Sequence, residues 1–209
     1  MTGVEQLDRL LEVMHALRRG CPWDAGQTHL SLLHYLVEET AEVVDAVETG
    51  TDADLREELG DLLLQVVFHC EIASERGAFT IAEVAGQISD KLVARHPYVF
   101  CGEAIPDDLN QSWEQRKRAE KSRTSALDGI PVSMPVLARA AKVIARARAH
   151  QVPVDLPDEP LDEAGYGAAV LALTARAQAC GLDPEQDLRS ALRELEDQVR
   201  QAERPQPDS

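Results

Sequence analysis

Apolar residues recur at helical spacing along most of this 209-residue chain. Stripes of leucine, valine and other apolar residues repeat every three or four positions over residues 4–19, 55–67 and 81–93. Two further helical patterns cover about 161–180 and 184–203. Alanine, leucine, glutamate and arginine, all good helix formers, are frequent. The pattern therefore predicts an all-α protein.

Two of the predicted helices form a hairpin that is rich in acidic residues, within 36–68. Gly50 is placed to end the first helix, and Thr51 or Asp52 is placed to cap the second. A connection this short makes the two helices antiparallel neighbours. The first helix carries Glu38, Glu39, Glu42 and Asp45, and the second carries Glu57, Glu58 and Asp61.

Three local features follow from the residues around this hairpin. We expect a loop at residues 20–24 and a start of the first acidic helix at Gln27, with a break near residues 30–31. Thr80 is placed to cap the helix that follows the hairpin, with Glu83 three residues later in a capping-box pattern.

The spacing of these acids predicts a cation site. Glu39 and Glu42 are three residues apart, as are Glu58 and Asp61, so each pair lies on one face of its helix. Carboxylates held beside a core surface must be paired or must coordinate an ion, because isolated buried charge is costly and like charges raise each other's pKa. Mg²⁺ suits such a site, since it binds a few carboxylates together with water and substrate phosphates.

The same residues permit two other interpretations. Acidic residues on a helix usually form a solvated face. Glu38, Glu42 and Asp45 also follow an i, i+4, i+7 line, so spacing alone does not decide which acids point inward.

Net charge narrows the choice of partners. The formal charge is −16, which argues against nucleic acid binding and gives an anionic substrate no help from the overall field. Any phosphate site must therefore be built locally, and residues 111–123 are the most basic stretch. Arg18 and Arg19 end the first helix, where the helix dipole favours cations.

We expect a soluble, cytoplasmic protein with no membrane association. No segment approaches the ~20 apolar residues of a membrane span. The N-terminus lacks a hydrophobic signal region. The four cysteines are scattered, which predicts reduced thiols rather than a zinc site.

Proline spacing suggests how the chain is divided. We assign residues 1–150 to a first domain, 151–160 to a Pro-rich acidic linker, 161–204 to a helical appendage, and 205–209 to a disordered tail. The appendage reads as a degenerate copy of the hairpin unit, in which Tyr166 takes the place of Asp61 and no counterpart of the first acidic helix remains. The alternative is that any two Ala/Leu-rich helices align this well.

Six segments of the chain carry a family resemblance: GCPWDAGQTHLSL (20–32), LVEETAEVVDAV (36–47), LREELGDLLLQVVFH (55–69), SDKLVARHPYVF (89–100), WEQRKRAEK (113–121) and SALDGIPVSMPVLARAAKV (125–143). They resemble the MazG family of nucleoside triphosphate pyrophosphohydrolases. The signature of that family is EExxE followed by ExxD, and the CPWD and RHPYVF blocks make the resemblance specific.

The resemblance implies a fold, a reaction and an assembly. The fold is a four-helix unit that dimerises with a second protomer, as a homodimer or higher homo-oligomer. The reaction splits nucleoside triphosphates between the α and β phosphates, giving the monophosphate and pyrophosphate. It requires Mg²⁺, with Mn²⁺ as an alternative ion. Such an enzyme would clean the nucleotide pool, acting broadly or on one altered nucleotide. A non-catalytic dimerisation or nucleotide-sensing module is the rival interpretation.

The resemblance also implies a role for each site residue. The metal ligands would be Glu39, Glu42, Glu58 and Asp61, and the catalytic group would be Glu38, Glu39 and Glu42, with Glu38 orienting or deprotonating the water. The substrate would contact Lys91, Arg95, Trp113 and Lys117. The base could stack on Trp23 or Trp113, because every base offers a π face.

Overall fold

The computed structural model describes residues 2–109, 112, 113, 116, 124–157 and 163–204, with side chains from 165 in the last range. Within these ranges all regular structure is helical, which confirms the all-α prediction. The chain divides into two compact units, Met1–Gly102 and Glu103–Ser209.

The first unit is built on four long helices. Its described helices are α1 (Gly3–Gly20), α2 (Pro22–Gly26), α3 (Leu33–Thr49), α4 (Asp52–Glu75), α5 (Ile81–Arg95) and α6 (Pro97–Phe100). α1, α3, α4 and α5 have 15 to 24 residues each, whereas α2 and α6 are single turns. The four-helix unit implied by the family resemblance is therefore present.

Threonine caps fix where three of the long helices begin. The hydroxyls of Thr2, Thr51 and Thr80 each accept the backbone N–H of the residue three positions later, and the acidic side chain there accepts the threonine N–H in return. This reciprocal arrangement satisfies N–H groups that would otherwise lack partners. The caps predicted at Thr51 and Thr80 are confirmed.

The core of the first unit joins α1 to α4. It contains Met14 from α1, Leu32 from the turn before α3, and Val67, Phe68 and Ile72 from α4. α4 packs against α1, α3 and α5, so it is the central helix of the unit. Contacts with these three helices therefore determine how α4 is rotated about its axis, and so the direction in which its acidic residues point.

Two local predictions are wrong. The first acidic helix was expected to start at Gln27, but α3 begins at Leu33, and the break predicted near residues 30–31 is a turn before the helix. Thr28 and Ser31 hold the preceding turn, because each hydroxyl accepts the other residue's N–H, at 3.1 and 2.9 Å. We expected a loop at residues 20–24, but Pro22 opens the short helix α2, since proline is well suited to the first helical position.

Gly50 ends α3 for a steric reason. A Cβ atom at this position would lie 2.8 Å from the Cα and the carbonyl oxygen of Ala46. Only glycine lets the chain turn this closely against α3 and enter α4 two residues later.

The second unit contains α7 (Val136–Ala149), α8 (Glu163–Ala179) and α9 (Pro184–Ala202). α7 packs against α9, which also contacts α8. The buried side chains include Val143, Ala147, Leu192 and Val199. An ion pair joins Arg139 of α7 to Glu196 of α9 at 2.8 Å, with both side chains largely buried.

Residues 103–150, which we assigned to the first domain, lie in the second compact unit. The boundary at 150, the linker at 151–160 and the degenerate repeat at 161–204 stay predictions. Lys117 and the tail at 205–209 lie outside the described residues. Among the helices described, none combines the length and the apolar character needed to cross a membrane.

Candidate metal centre

Three carboxylates meet across the hairpin of α3 and α4. One oxygen from each of Glu39, Glu58 and Asp61 lies within 4.8 Å of the other two. Glu58 and Asp61 come from adjacent positions on one face of α4, and Glu39 reaches them from α3. All three residues are half-buried. The structure thus decides the register that spacing left open: Glu39, and not Glu38, is the α3 residue in the cluster.

The carboxylates of the cluster disfavour one another's charge. Burial raises the pKa of Glu39 above its usual value, and the negative charge of Asp61 adds to this increase. Burial is also the largest cause of the raised pKa of Glu58, and the negative charges of Glu42 and Glu57 raise it further. These are the directions expected for like charges held together in a partly desolvated site.

The two remaining predicted residues border the cluster. Glu42 is exposed, and its carboxylate contributes to the raised pKa values of both Glu39 and Glu58. Glu38 is exposed as well and acts on Glu39 as a neighbouring charge. Three of the four predicted metal ligands are therefore clustered, and the fourth lies at the edge.

The donor set fits a hard divalent cation. Within the described part of the chain, no lysine, arginine or histidine forms an ion pair with Glu39, Glu58 or Asp61. All the donors are carboxylate oxygens, which suit Mg²⁺, Mn²⁺ or Ca²⁺ better than Zn²⁺, whose protein sites rely on nitrogen and sulfur. A bound cation would offset the repulsion that the described residues leave uncompensated.

Comparison with known proteins places this hairpin in a family. The model of the MazG nucleotide pyrophosphohydrolase domain matches residues 27–100, which include the whole cluster. The nucleoside triphosphate pyrophosphohydrolase/pyrophosphatase MazG of Thermotoga maritima is 35% identical over 220 aligned positions, covering 94% of this chain and 85% of that protein. This chain belongs to the MazG family.

Other relatives of this MazG chain differ in length. An uncharacterised 26.1 kDa protein of Streptomyces cacaoi is 45% identical, with 97% of this chain and 84% of that protein covered. The nucleoside triphosphate pyrophosphohydrolase of Mycobacterium tuberculosis is 42% identical over 96% of this chain, but this chain spans only 59% of it. A crystal structure of a mazG-related protein from Thermotoga maritima covers 53% of this chain and 98% of that one, at 29% identity and a TM-score of 0.47.

Trp23 lies beside α3, on the side of the helix that carries Glu39. Its indole packs edge-to-face on the ring of Tyr35, with 5.9 Å between ring centroids and 69° between ring planes. Tyr35 precedes Glu39 by four residues, so both point from one face of α3. The side of Trp23 that does not meet Tyr35 is open, since the residue is 53% exposed.

The predicted substrate contacts other than Trp23 are divided between the two units. Lys91 and Arg95 lie half-buried, one turn apart on α5 of the first unit. Trp113 is half-buried in the second unit. With Lys117 outside the described residues, their shared contact with a substrate stays a prediction.

Two features of the first unit were missed in the sequence. The sequence predicts Arg18 as a cation that stabilises the helix dipole, but the residue is buried. Its position four residues after the buried Met14 is the sequence signal that places it on the core side of α1. His29 and His69 stack with their Nδ1 atoms 2.8 Å apart, and no periodicity links residues 40 positions apart. Burial lowers the pKa of His69, and the nearby His29 lowers it further.

Proposed function

We propose that this chain is a Mg²⁺-dependent nucleoside triphosphate pyrophosphohydrolase that converts nucleoside or deoxynucleoside triphosphates to the monophosphate and pyrophosphate. The names of the Thermotoga maritima and Mycobacterium tuberculosis relatives support this reaction. The observation that carries the proposal is the convergence of Glu39, Glu58 and Asp61 with no described cation to neutralise them.

The carboxylates divide into two roles in this proposal. Glu39, Glu42, Glu58 and Asp61 hold the metal, and Glu38 lies beside them to orient the water and accept its proton. A bound Mg²⁺ supplies neutralisation of the charge that develops on the phosphates and lowers the pKa of a coordinated water. The reaction then needs little covalent chemistry from the protein. One bond forms between the water oxygen and a phosphorus, and the anhydride bond between the α and β phosphates breaks.

The remaining proposed contacts fix the substrate at its two ends. Lys91, Arg95 and Lys117 bind the phosphates, which is necessary because the overall charge of −16 repels them. Trp23 offers an exposed ring for base stacking within the first unit, and the half-buried Trp113 is the alternative stacking residue. This division predicts that phosphate binding is common to all substrates, whereas the base contacts set preference.

We also propose that the chain acts as a homodimer. Apolar side chains remain exposed on both helices of the hairpin, including Val37 and Val44 on α3 and Leu59 on α4. A patch of this kind on a folded unit is typical of an interaction surface. Sedimentation should give twice the 22.9 kDa chain mass, and Val44→Arg should shift the mass toward that of one chain. Leu171→Arg, at an exposed apolar residue of the second unit, is the matched control. A single-chain mass at micromolar concentration contradicts the dimer.

The proposed reaction is tested by identifying products over a panel of canonical and altered nucleoside triphosphates. We expect monophosphate and pyrophosphate in equal amounts, only when Mg²⁺ or Mn²⁺ is present. Asp61→Asn should abolish release, whereas Asp45→Asn, at an exposed acid of α3 outside the cluster, should not. Release of orthophosphate contradicts the proposal. Binding without release supports a nucleotide sensor instead, and activity on one altered base alone identifies a narrow house-cleaning enzyme.

A further inference from the structure

Arg18 connects three segments of the first unit through one buried guanidinium. Nε and Nη2 donate to the two carboxylate oxygens of Glu75 on α4, at 2.7 and 2.5 Å. Nη1 donates to the backbone carbonyls of Asp24 and Gln27, the latter at 3.1 Å. The guanidinium carbon also lies 5.7 Å from the centre of the Phe68 ring. Arg18 is only 8% exposed, whereas the Glu75 side chain is 42% exposed, so the guanidinium is buried and its carboxylate partner reaches solvent.

The two carbonyls belong to the segment that carries Trp23. Asp24 lies within α2, and Gln27 follows its end. The Gln27 side chain donates back to the Trp23 carbonyl at 3.1 Å, which closes the segment on itself. A helix of five residues is not stable alone, because nucleation costs more than one turn returns. Its position must come from contacts with the rest of the unit.

Trp23 has few contacts of its own to provide that position. Its ring meets Tyr35, and the residue is otherwise 53% exposed. A planar guanidinium that grips a carboxylate with one edge and two carbonyls with another fixes distance and direction together. Arg18 therefore supplies the orientation that the exposed indole cannot obtain by burial.

We infer that Arg18, gripped by Glu75, is a positioning residue that holds the indole of Trp23 where it stacks on the substrate base. The inference rests on the proposed function for the base, while the position of the indole follows from the contacts above. Arg18 itself touches no substrate in this account. Lysine cannot replace it, since a single ammonium cannot reach the carboxylate and both carbonyls with fixed geometry.

The first test follows the indole without using activity. In a Trp113→Phe chain Trp23 is the only tryptophan. Adding Arg18→Lys should increase acrylamide quenching of its fluorescence and lower its anisotropy. Arg19→Lys, at the exposed neighbouring residue, is the matched control and should change neither. If Arg18→Lys does not fold, Glu75→Gln weakens the same contact and keeps the shape of the side chain at position 75. Unchanged quenching in a folded variant overturns the inference.

The second test is a kinetic cycle in the chain with Trp113 intact. Arg18→Lys should raise KM for a nucleoside triphosphate by about 10-fold with kcat nearly unchanged, as loss of one stacking contact would. In a Trp23→Leu chain, Arg18→Lys should raise KM no further. Inhibition by inorganic tripolyphosphate, which has no base, should be equal in all variants. Additive effects, or an equal loss of kcat, would mean that Arg18 acts on overall structure and would overturn the inference.

Failure of the proposed function gives a different pattern. If the unsubstituted chain hydrolyses no nucleotide, the proposed reaction is wrong, and the fluorescence test alone decides whether Arg18 positions Trp23. If Arg18→Lys changes the fluorescence of Trp23 but leaves KM unchanged in an active enzyme, the base does not stack on Trp23 and the inference is overturned.

Discussion

The helix pairs α3–α4 and α7–α9 both bring glutamate to a helix–helix contact, but they treat its charge in opposite ways. In the second unit Glu196 is 4% exposed, and its carboxylate lies 2.8 Å from Arg139 and 3.7 Å from Arg200. In the first unit Glu39, Glu58 and Asp61 meet one another, and no described cation pairs with them. One contact is neutralised by arginines of its own unit, and the other has no neutralising cation among the described residues.

This difference distinguishes a glutamate that completes the fold from the carboxylates that we propose bind a metal ion. A buried ion pair is complete in the folded protein, and removing one partner leaves the other charge stranded. A cluster of carboxylates with raised pKa values destabilises the folded state until a cation binds. A glutamate at the contact does not by itself distinguish the two, since both contacts contain one. The presence or absence of a partner cation does.

The largest expected effect is on activity. Glu58→Gln removes a proposed metal ligand without changing side-chain shape, so turnover should fall at least ~100-fold, more than changes outside the ligand set usually cost. Its metal-free thermal midpoint should stay the same or rise, because repulsion is relieved. Turnover and thermal unfolding of the same preparation check this prediction. Near-normal turnover would remove Glu58 from the metal site.

Adding Mg²⁺ should stabilise the unsubstituted chain strongly. At 100 times its dissociation constant, an ion that binds only the folded state adds about 2.7 kcal/mol to the free energy of unfolding. Thermal or urea unfolding with and without Mg²⁺ measures this gain. Glu58→Gln should lose most of it, whereas Glu196→Gln should keep it. Equal stabilisation of both variants would place the ion elsewhere.

Glu196→Gln should have the opposite effect on stability from Glu58→Gln. It leaves Arg139 largely buried without its counter-charge, which should cost about 2 kcal/mol of unfolding free energy. Urea denaturation of the metal-free proteins checks the sign as well as the size. A neutral or stabilising result would show that this ion pair, too, is replaceable.

A smaller effect should appear in the pH dependence of the metal-free chain. The pKa values of Glu39 and Glu58 are raised in the folded state, so their contribution to stability is present below the unfolded value of 4.5 and is lost as pH rises through the folded values. Mg²⁺ should remove this loss. Unfolding free energies across that pH range, with and without Mg²⁺, measure it. His69 has the opposite effect, because its lowered pKa makes the folded state less stable as pH falls. Glu58→Gln keeps both histidines, so a comparison with this variant isolates the contribution of the carboxylates.

The sequence predicted the hairpin well because its signals are local. Gly50, the Thr51 cap and the apolar stripe of α4 specify two neighbouring antiparallel helices, and three-residue spacing puts Glu58 and Asp61 on one face. Spacing could not choose between Glu38 and Glu39, because that choice depends on how α3 is rotated against its neighbours. The packing of α3 against α4 supplies the missing information.

Long-range contacts explain what the sequence did not reveal. Arg18 and Glu75 are 57 positions apart in the sequence, and His29 and His69 are 40 apart, so no local pattern predicts either contact. The sequence predicts a loop around Trp23, because the five-residue helix α2 depends on its contacts with Arg18 more than on its own helix propensity.

The most direct test of the metal site is a crystal soaked with Mn²⁺ and a non-hydrolysable nucleotide analogue. We predict an anomalous peak bonded to oxygens of Glu39, Glu58 and Asp61, at about 2.1 Å, the distance typical of a small octahedral cation. No peak in an Asp61→Asn crystal would complete the result. Carboxylates turned toward solvent in the unsubstituted chain, with no ion between them, would contradict it.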